Sequence, residues 1–178
     1  MTFAIPVDDN LTLRLVEPRH AEEIFSIVAE NRDHLGRWLP WIETTHEVAD
    51  TRAWAEDACQ RFARQTGLPL SILLDGCVVG GIGLQQISSH HGTAEIGWWL
   101  AQHCQGQGIV TRCGRHLMRH AFHERGIHRI YAYTAVANTR SSSVAERLGM
   151  RREGELRQAA RTREGFVDVA IYARLADD

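Results

Sequence analysis

Hydrophobic positions change their spacing repeatedly along this chain, and each change predicts an element. The alternation in LTLRLV (11–16) predicts a first strand that stops before Pro18. Ala21, Ile24, Phe25 and Val28 then recur at helical spacing and predict an amphipathic helix over 18–34. The segment GRWLPWIETTHE interrupts it, because Pro40 has no N–H to give and its ring clashes with the preceding turn. A second helix is predicted over 47–65, with Trp54, Ala58 and Phe62 on one face. The two apolar runs of LSILLDGCVVGGIGLQQI flank Asp75-Gly76, a hairpin signal. TAEIGWWLA (93–101) predicts a strand, 108–125 a helix ending near Gly126, and HRIYAYTAV (128–136) another strand. TRSSSVAERLG (139–149) predicts a short helix closed by Gly149, and MRREGELRQAA and FVDVAIYARL a final hairpin.

The resulting order is strand, two helices, three strands, helix, strand, helix, two strands. That is a mixed α/β sheet and not a regular βαβ alternation. No repeat or Pro/Gly linker divides the 178 residues, so 1–178 reads as one domain with a full core. A net charge of −2 gives no electrostatic reason for nucleic acid or a membrane surface as partner. The opening MTFAIPVDDNL lacks a basic stretch and a long apolar run, and Cys59, Cys77, Cys104 and Cys113 form no C-x-x-C pair. Both features lead us to expect a reducing, cytoplasmic setting. All 20 residues counted as Lys+Arg are Arg, so no lysine is available for a phosphate loop or a Schiff base.

Candidate chemistry concentrates in LAQHCQGQGIVTRCG (100–114), a glycine-containing loop between a strand and a helix. A Rossmann turn would need a third glycine where Thr111 stands and an acidic residue at the end of the next strand, and HRIYAYT offers none. The loop alone leaves two readings open. It is either a ligand-free strand-to-helix turn or a seat for a pyrophosphate on the helix N-terminus. In the second reading, backbone N–H groups from Gly106 to Thr111 would point at the phosphates. Histidines 116, 120 and 123 repeat at helical spacing, which suits a solvated face better than a metal site lacking acidic partners, so no metal is expected.

QGQGIV resembles the Q/R-x-x-G-x-G/A acetyl-CoA loop of the GNAT N-acetyltransferases, with Gln105 and Gly108 matching and Val110 where Gly or Ala is usual. AEIGWWL is similar to that family's fourth strand, and NTRSSSVAERLGM to its N-x-x-S…LG-[FM] segment. LGRWLPWIE resembles the substrate loop of the RimL/RimJ-type branch, which acetylates ribosomal-protein N-termini. The resemblance implies one GNAT fold: a mostly antiparallel seven-stranded sheet whose fourth and fifth strands splay apart, flanked by about four helices.

The resemblance also implies roles. Backbone groups of Trp98, Trp99 and Leu100 would pair with the pantetheine arm, and Gly97 would supply a bulge that helps the strands diverge. Gln105, Gly106, Gln107, Gly108, Ile109, Val110 and Thr111 would hold the pyrophosphate, and Arg112 and Arg115 would meet phosphates or only decorate the helix. Asn138 would hydrogen-bond the arm, or merely cap the next helix. Ser141 would support the leaving thiolate, since the tyrosine used by other members is here Ala145; capping is its bland alternative. Glu95 is the candidate general base, because Ala160 occupies the site of a glutamate suggested for RimL-type enzymes. Trp38, Trp41 and Glu43 would line the acceptor side, Trp54 would be ordinary helix packing, and His90-His91 a loop near substrate. The implied activity is acetyl transfer from acetyl-CoA to a primary amine, foremost the N-terminal α-amine of a ribosomal protein, by an enzyme expected to form a homodimer. A small-molecule amine acetyltransferase (polyamine, antibiotic or peptide-nucleotide acceptor) and a non-catalytic acyl-CoA sensor are the alternatives.

Overall fold

In the computed structural model, which describes residues 3–178, the predicted alternations become eight strands of one sheet. They are β1 (Ala4–Pro6), β2 (Leu11–Leu15), β3 (Leu68–Leu74), β4 (Cys77–Ser88), β5 (Thr93–Leu100), β6 (Arg129–Ala135), β7 (Arg151–Thr162) and β8 (Gly165–Leu175). The helices are α1 (Ala21–Glu30), α2 (Arg32–Gly36), α3 (Val48–Ala63), α4 (Ile109–Glu124) and α5 (Thr139–Arg147). The sheet order is β1-β2-β3-β4-β5-β6-β8-β7. Every neighbouring pair is antiparallel except β5 and β6.

The sheet has eight strands where seven were expected, the addition being the edge strand β1, whose three residues are too few to show a period. The helix expected over 18–34 is divided. Pro18–His20 form a 3-10 turn, α1 ends at Glu30, and α2 restarts one residue later, after the buried Asn31.

Helices cover both sides of the sheet. In α4 the buried residues Ile109, Cys113, Leu117 and Ala121 recur every fourth position and pack on Leu11, Leu13, Leu70, Ile96 and Ile130. Gly114 lets α5 approach, since a Cβ there would lie 2.8 Å from the Leu148 side chain. Val28 and Leu35 pack with Ala55, Ala58, Leu73 and Val78 in a second cluster. Val79 belongs to the first cluster and its neighbour Val78 to the second, as expected of a strand covered on both faces.

The parallel pair creates an opening. Its ladder runs Thr93↔Arg129, Ala94↔Ile130, Glu95↔Tyr131 and ends there. Beyond that point β5 stays with β4 as far as Gly80↔Leu100, and β6 stays with β8 as far as Ala135↔Val169. The facing edges of Ile96–Leu100 and Ala132–Ala135 are therefore left apart, as the resemblance implied for the family's fourth and fifth strands. The expected bulge at Gly97 is absent, because the β4/β5 ladder runs regularly through Gly83↔Gly97. Its irregularity lies at Gln85–Ser88 in β4, where Gln86 takes a left-handed φ of 50°.

Candidate active site

The opening continues into a cleft of about 740 Å³ whose walls include Asn138, Ser141 and Glu95, and Asp50 and Arg61 of α3. All five tryptophans of the chain, Trp38, Trp41, Trp54, Trp98 and Trp99, line it. Trp41, in the 3-10 turn Pro40–Thr44, meets Trp99 edge to face with ring centroids 6.2 Å apart. Gly81 makes room for the Trp99 indole, which lies where a Cβ on Gly81 would be. Trp54 is 43 % exposed on this wall, so it is part of the cleft and not the packing residue expected from its helical face. Glu43 is off the wall: its carboxylate is taken by Arg163 at 2.7 Å, from the turn joining β7 and β8.

Glu95 sits where β5 and β6 part. Its Oε1 accepts a hydrogen bond from Gln85 at 2.7 Å and its Oε2 one from Gln86 at 3.1 Å. Burial raises its pKa above the ordinary glutamate value, and the Gln85 hydrogen bond only partly opposes this. The left-handed backbone of Gln86 brings a second carboxamide onto the carboxylate, a pairing that strand periodicity does not reveal. Tyr133, 46 % exposed, stands on the same wall from β6.

On the α5 side of the cleft, the Asn138 Oδ1 accepts from the Ser141 N–H at 3.2 Å, so Asn138 caps α5. The Ser141 side chain itself is not the cap and stands on the cleft wall. Ala145 is fully buried, so that position of α5 faces the core.

The glycine loop has the shape of an anion seat. Gly106 and Gly108 have φ of 77° and 70°, and a Cβ on either would meet nothing within 4 Å. Gly108 is the N-cap of α4, and the N–H groups of Ile109, Val110 and Thr111 lie in the first turn, where a helix offers no internal acceptor. No acidic side chain stands in that turn. Gln107 donates back to the His103 carbonyl at 3.4 Å, and Thr111 accepts from Arg147. Gln105 is held between His34 of α2 and Arg140 of α5. Arg112 pairs with Asp8 at 2.6 Å, and Arg115 donates to the Arg147 carbonyl that ends α5.

The remaining histidines fall elsewhere. His116 contacts Arg119, His120 stacks edge-on to Phe3, and His90 stacks on His91 in the turn before β5. Among the described residues no group of three or more potential ligands could hold a metal ion.

A sheet parted between parallel strands, with a helix N-terminus beyond the gap, defines the acetyltransferase class. Residues 10–151 match the acetyltransferase (GNAT) domain, and the chain belongs to that family. The Escherichia coli ribosomal-protein-serine acetyltransferase is 30% identical over 177 residues, covering 99% of both chains. A RimL ribosomal L7/L12 alpha-N-protein acetyltransferase solved with coenzyme A superposes with a TM-score of 0.95 at 28% identity, over 97% of this chain and 98% of that one. The microcin C7 self-immunity acetyltransferase MccE, solved with acetyl-CoA and AMP, superposes with a TM-score of 0.91 at 26% identity, over 96% and 95%. The protein is an acetyl-CoA-dependent N-acetyltransferase, similar in sequence and fold to the RimL enzymes.

Proposed function

We propose that the acceptor is the N-terminal α-amine of a protein, a ribosomal protein in particular, and that 1–178 acts as one catalytic domain. The observation that carries this reading is the size of the cleft. At about 740 Å³, walled by Glu95 and by Asp50 and Arg61 of α3, it has room for the residues that follow a terminal amine. The E. coli relative that shares the whole chain length supports the same choice.

Acetyl-CoA supplies the activated acetyl group; the chain supplies position, polarity and proton handling. On this reading the loop from Gln105 to Thr111 binds the pyrophosphate through backbone N–H groups. The free edge of Trp98–Leu100 and the Asn138 amide hold the pantetheine arm, so the thioester reaches the level of Glu95 and Ser141. Glu95, fixed by Gln85 and Gln86 and made more basic by burial, takes a proton from the incoming ammonium, directly or through water. The backbone N–H groups of β5 that face the gap polarise the acetyl oxygen. Ser141 donates a hydrogen bond to the departing sulfur. The indoles of Trp38, Trp41 and Trp54 exclude water and offer ring faces to the cationic amine. The five indoles that line the cleft also favour a second reading, an amine carried beside a planar ring, and MccE was solved with AMP.

The test is coenzyme A release from acetyl-CoA with three acceptors: a Ser-initiated peptide without lysine, the same peptide α-blocked with an internal lysine, and spermidine. Release with the free α-amine alone supports the proposal. Release only with spermidine transfers the assignment to small amines.

A further inference from the structure

The Gln105 side chain makes two hydrogen bonds that together fix its orientation. Arg140 Nη1 donates to its Oε1 at 2.6 Å, and its Nε2 lies 2.7 Å from His34 Nε2. A guanidinium has only donors, so the Gln105 oxygen must face Arg140 and the NH₂ must face His34. The His34 nitrogen is then an acceptor, and the ring is neutral with its proton on Nδ1. Burial, and behind it the Arg140 charge, lower the His34 pKa and so favour that neutral form.

The same corner of the chain makes further polar links. Asn31, buried between α1 and α2, accepts from the Gln102 N–H at 2.8 Å where the cofactor loop begins. Arg32, two residues before His34, donates to the carbonyls of Ile42 and Thr45, which bracket the end of the Trp41 turn. One five-residue helix thus grips the phosphate loop on one side and the acceptor turn on the other.

We infer that His34 is a positioning residue of the cofactor site. As a neutral acceptor it locks Gln105, presets the loop for acetyl-CoA, and joins that loop to the acceptor turn through α2. The inference rests on the loop of Gln105–Thr111 being the pyrophosphate seat, and the test separates the two.

Acetyl-CoA affinity is measured by titration calorimetry for the wild type and for His34→Leu, His34→Gln, His34→Arg and Gly108→Asp, each checked for a cooperative thermal transition. His34→Leu removes the acceptor and should weaken binding about five- to tenfold, the value of one hydrogen bond between neutral groups. His34→Gln offers a carboxamide oxygen and should restore affinity to within about twofold of wild type. His34→Arg adds a permanent positive charge that can only donate. It should bind as weakly as His34→Leu or worse, whereas a histidine acting only by attraction to phosphate would be improved by it. Unchanged affinity in His34→Leu, failed rescue by His34→Gln, or tighter binding by His34→Arg would each overturn the inference, with the loop reading intact as long as Gly108→Asp loses binding. Retained binding in Gly108→Asp would remove the loop reading and this inference with it.

Discussion

Gly108→Asp separates the cofactor seat from the fold more cleanly than any other change in the chain. In the fold, Gly108 holds φ 70° and ψ 8°, a left-handed conformation that costs an ordinary residue about 1–2 kcal/mol and aspartate somewhat less. A Cβ there meets nothing within 4 Å, so no steric cost is added. A carboxylate at the N-cap of α4 regains about 0.5–1 kcal/mol from the helix dipole and the first-turn N–H groups. The net change in stability is within about 1 kcal/mol, or roughly 2–4 °C in Tm for a chain of this size. For the cofactor the same carboxylate occupies the N–H groups meant for phosphate and repels its charge. Two lost hydrogen bonds to a charged group amount to about 3–6 kcal/mol, a loss of roughly 10²- to 10⁴-fold in affinity. Calorimetric titration with acetyl-CoA beside a thermal melt reads both numbers. Gly108→Asn, with the same shape and no charge, should fall between wild type and Gly108→Asp. Affinity in Gly108→Asp within threefold of wild type, with the melt unchanged, would show that phosphate does not sit on this helix end.

Glu95→Gln should lower kcat by about 10²- to 10³-fold, as loss of a general base does, and remove the acidic limb of the wild-type pH–rate profile. That limb should lie above the ordinary glutamate range, because burial raises the Glu95 pKa. The sign for stability is opposite: a carboxylate with a raised folded pKa stabilises the fold below its ordinary pKa and loses that contribution as pH rises. Glu95→Gln should therefore melt no lower than wild type at pH 7. Ser141→Ala should reduce turnover about tenfold with an unchanged melt, whereas Asn138→Ala removes the α5 cap and should cost about 1 kcal/mol by chemical denaturation. Leu117→Ala, at a fully buried position of α4, should cost about 2–5 kcal/mol by the same measurement and leave acetyl-CoA affinity intact in the folded fraction.

Periodicity located β2 to β6, β8 and the long helices, because they bury regular apolar positions, whereas β7, with no buried residue, was legible only as the hairpin partner of β8. It missed β1, whose pairing with β2 is dictated by the neighbouring strand and not by its own three residues. It also ran α1 and α2 together, since the break depends on Asn31 turning inward to bind Ile27 and Gln102. The glycine loop was legible because left-handed backbone leaves a glycine signature. The parting of β5 from β6 was legible only through family resemblance. Tertiary pairings hid the rest. Gln105 finds His34 across 71 residues, and Glu43 finds Arg163 across 120. Such separations carry no local pattern, so Glu43 looked like an acceptor ligand and His34 like nothing at all. The helical histidines show the converse: their spacing was real, but the His116 ring meets Arg119 and the His120 ring meets Phe3 and Arg125.

The ion pairs that pin this molecule together, from Arg112 on Asp8 to Arg163 on Glu43, all draw their cations from arginine. An enzyme that spends its life beside a reactive thioester would find surface lysines a liability, each an amine open to stray acylation and each acylation the loss of a charge. With no lysine in 178 residues, the side chains present no amine to acylate. Guanidinium groups stay protonated and do not compete for the acetyl group. The electrostatic contacts around the cleft thus keep their charge however much acetyl-CoA accumulates.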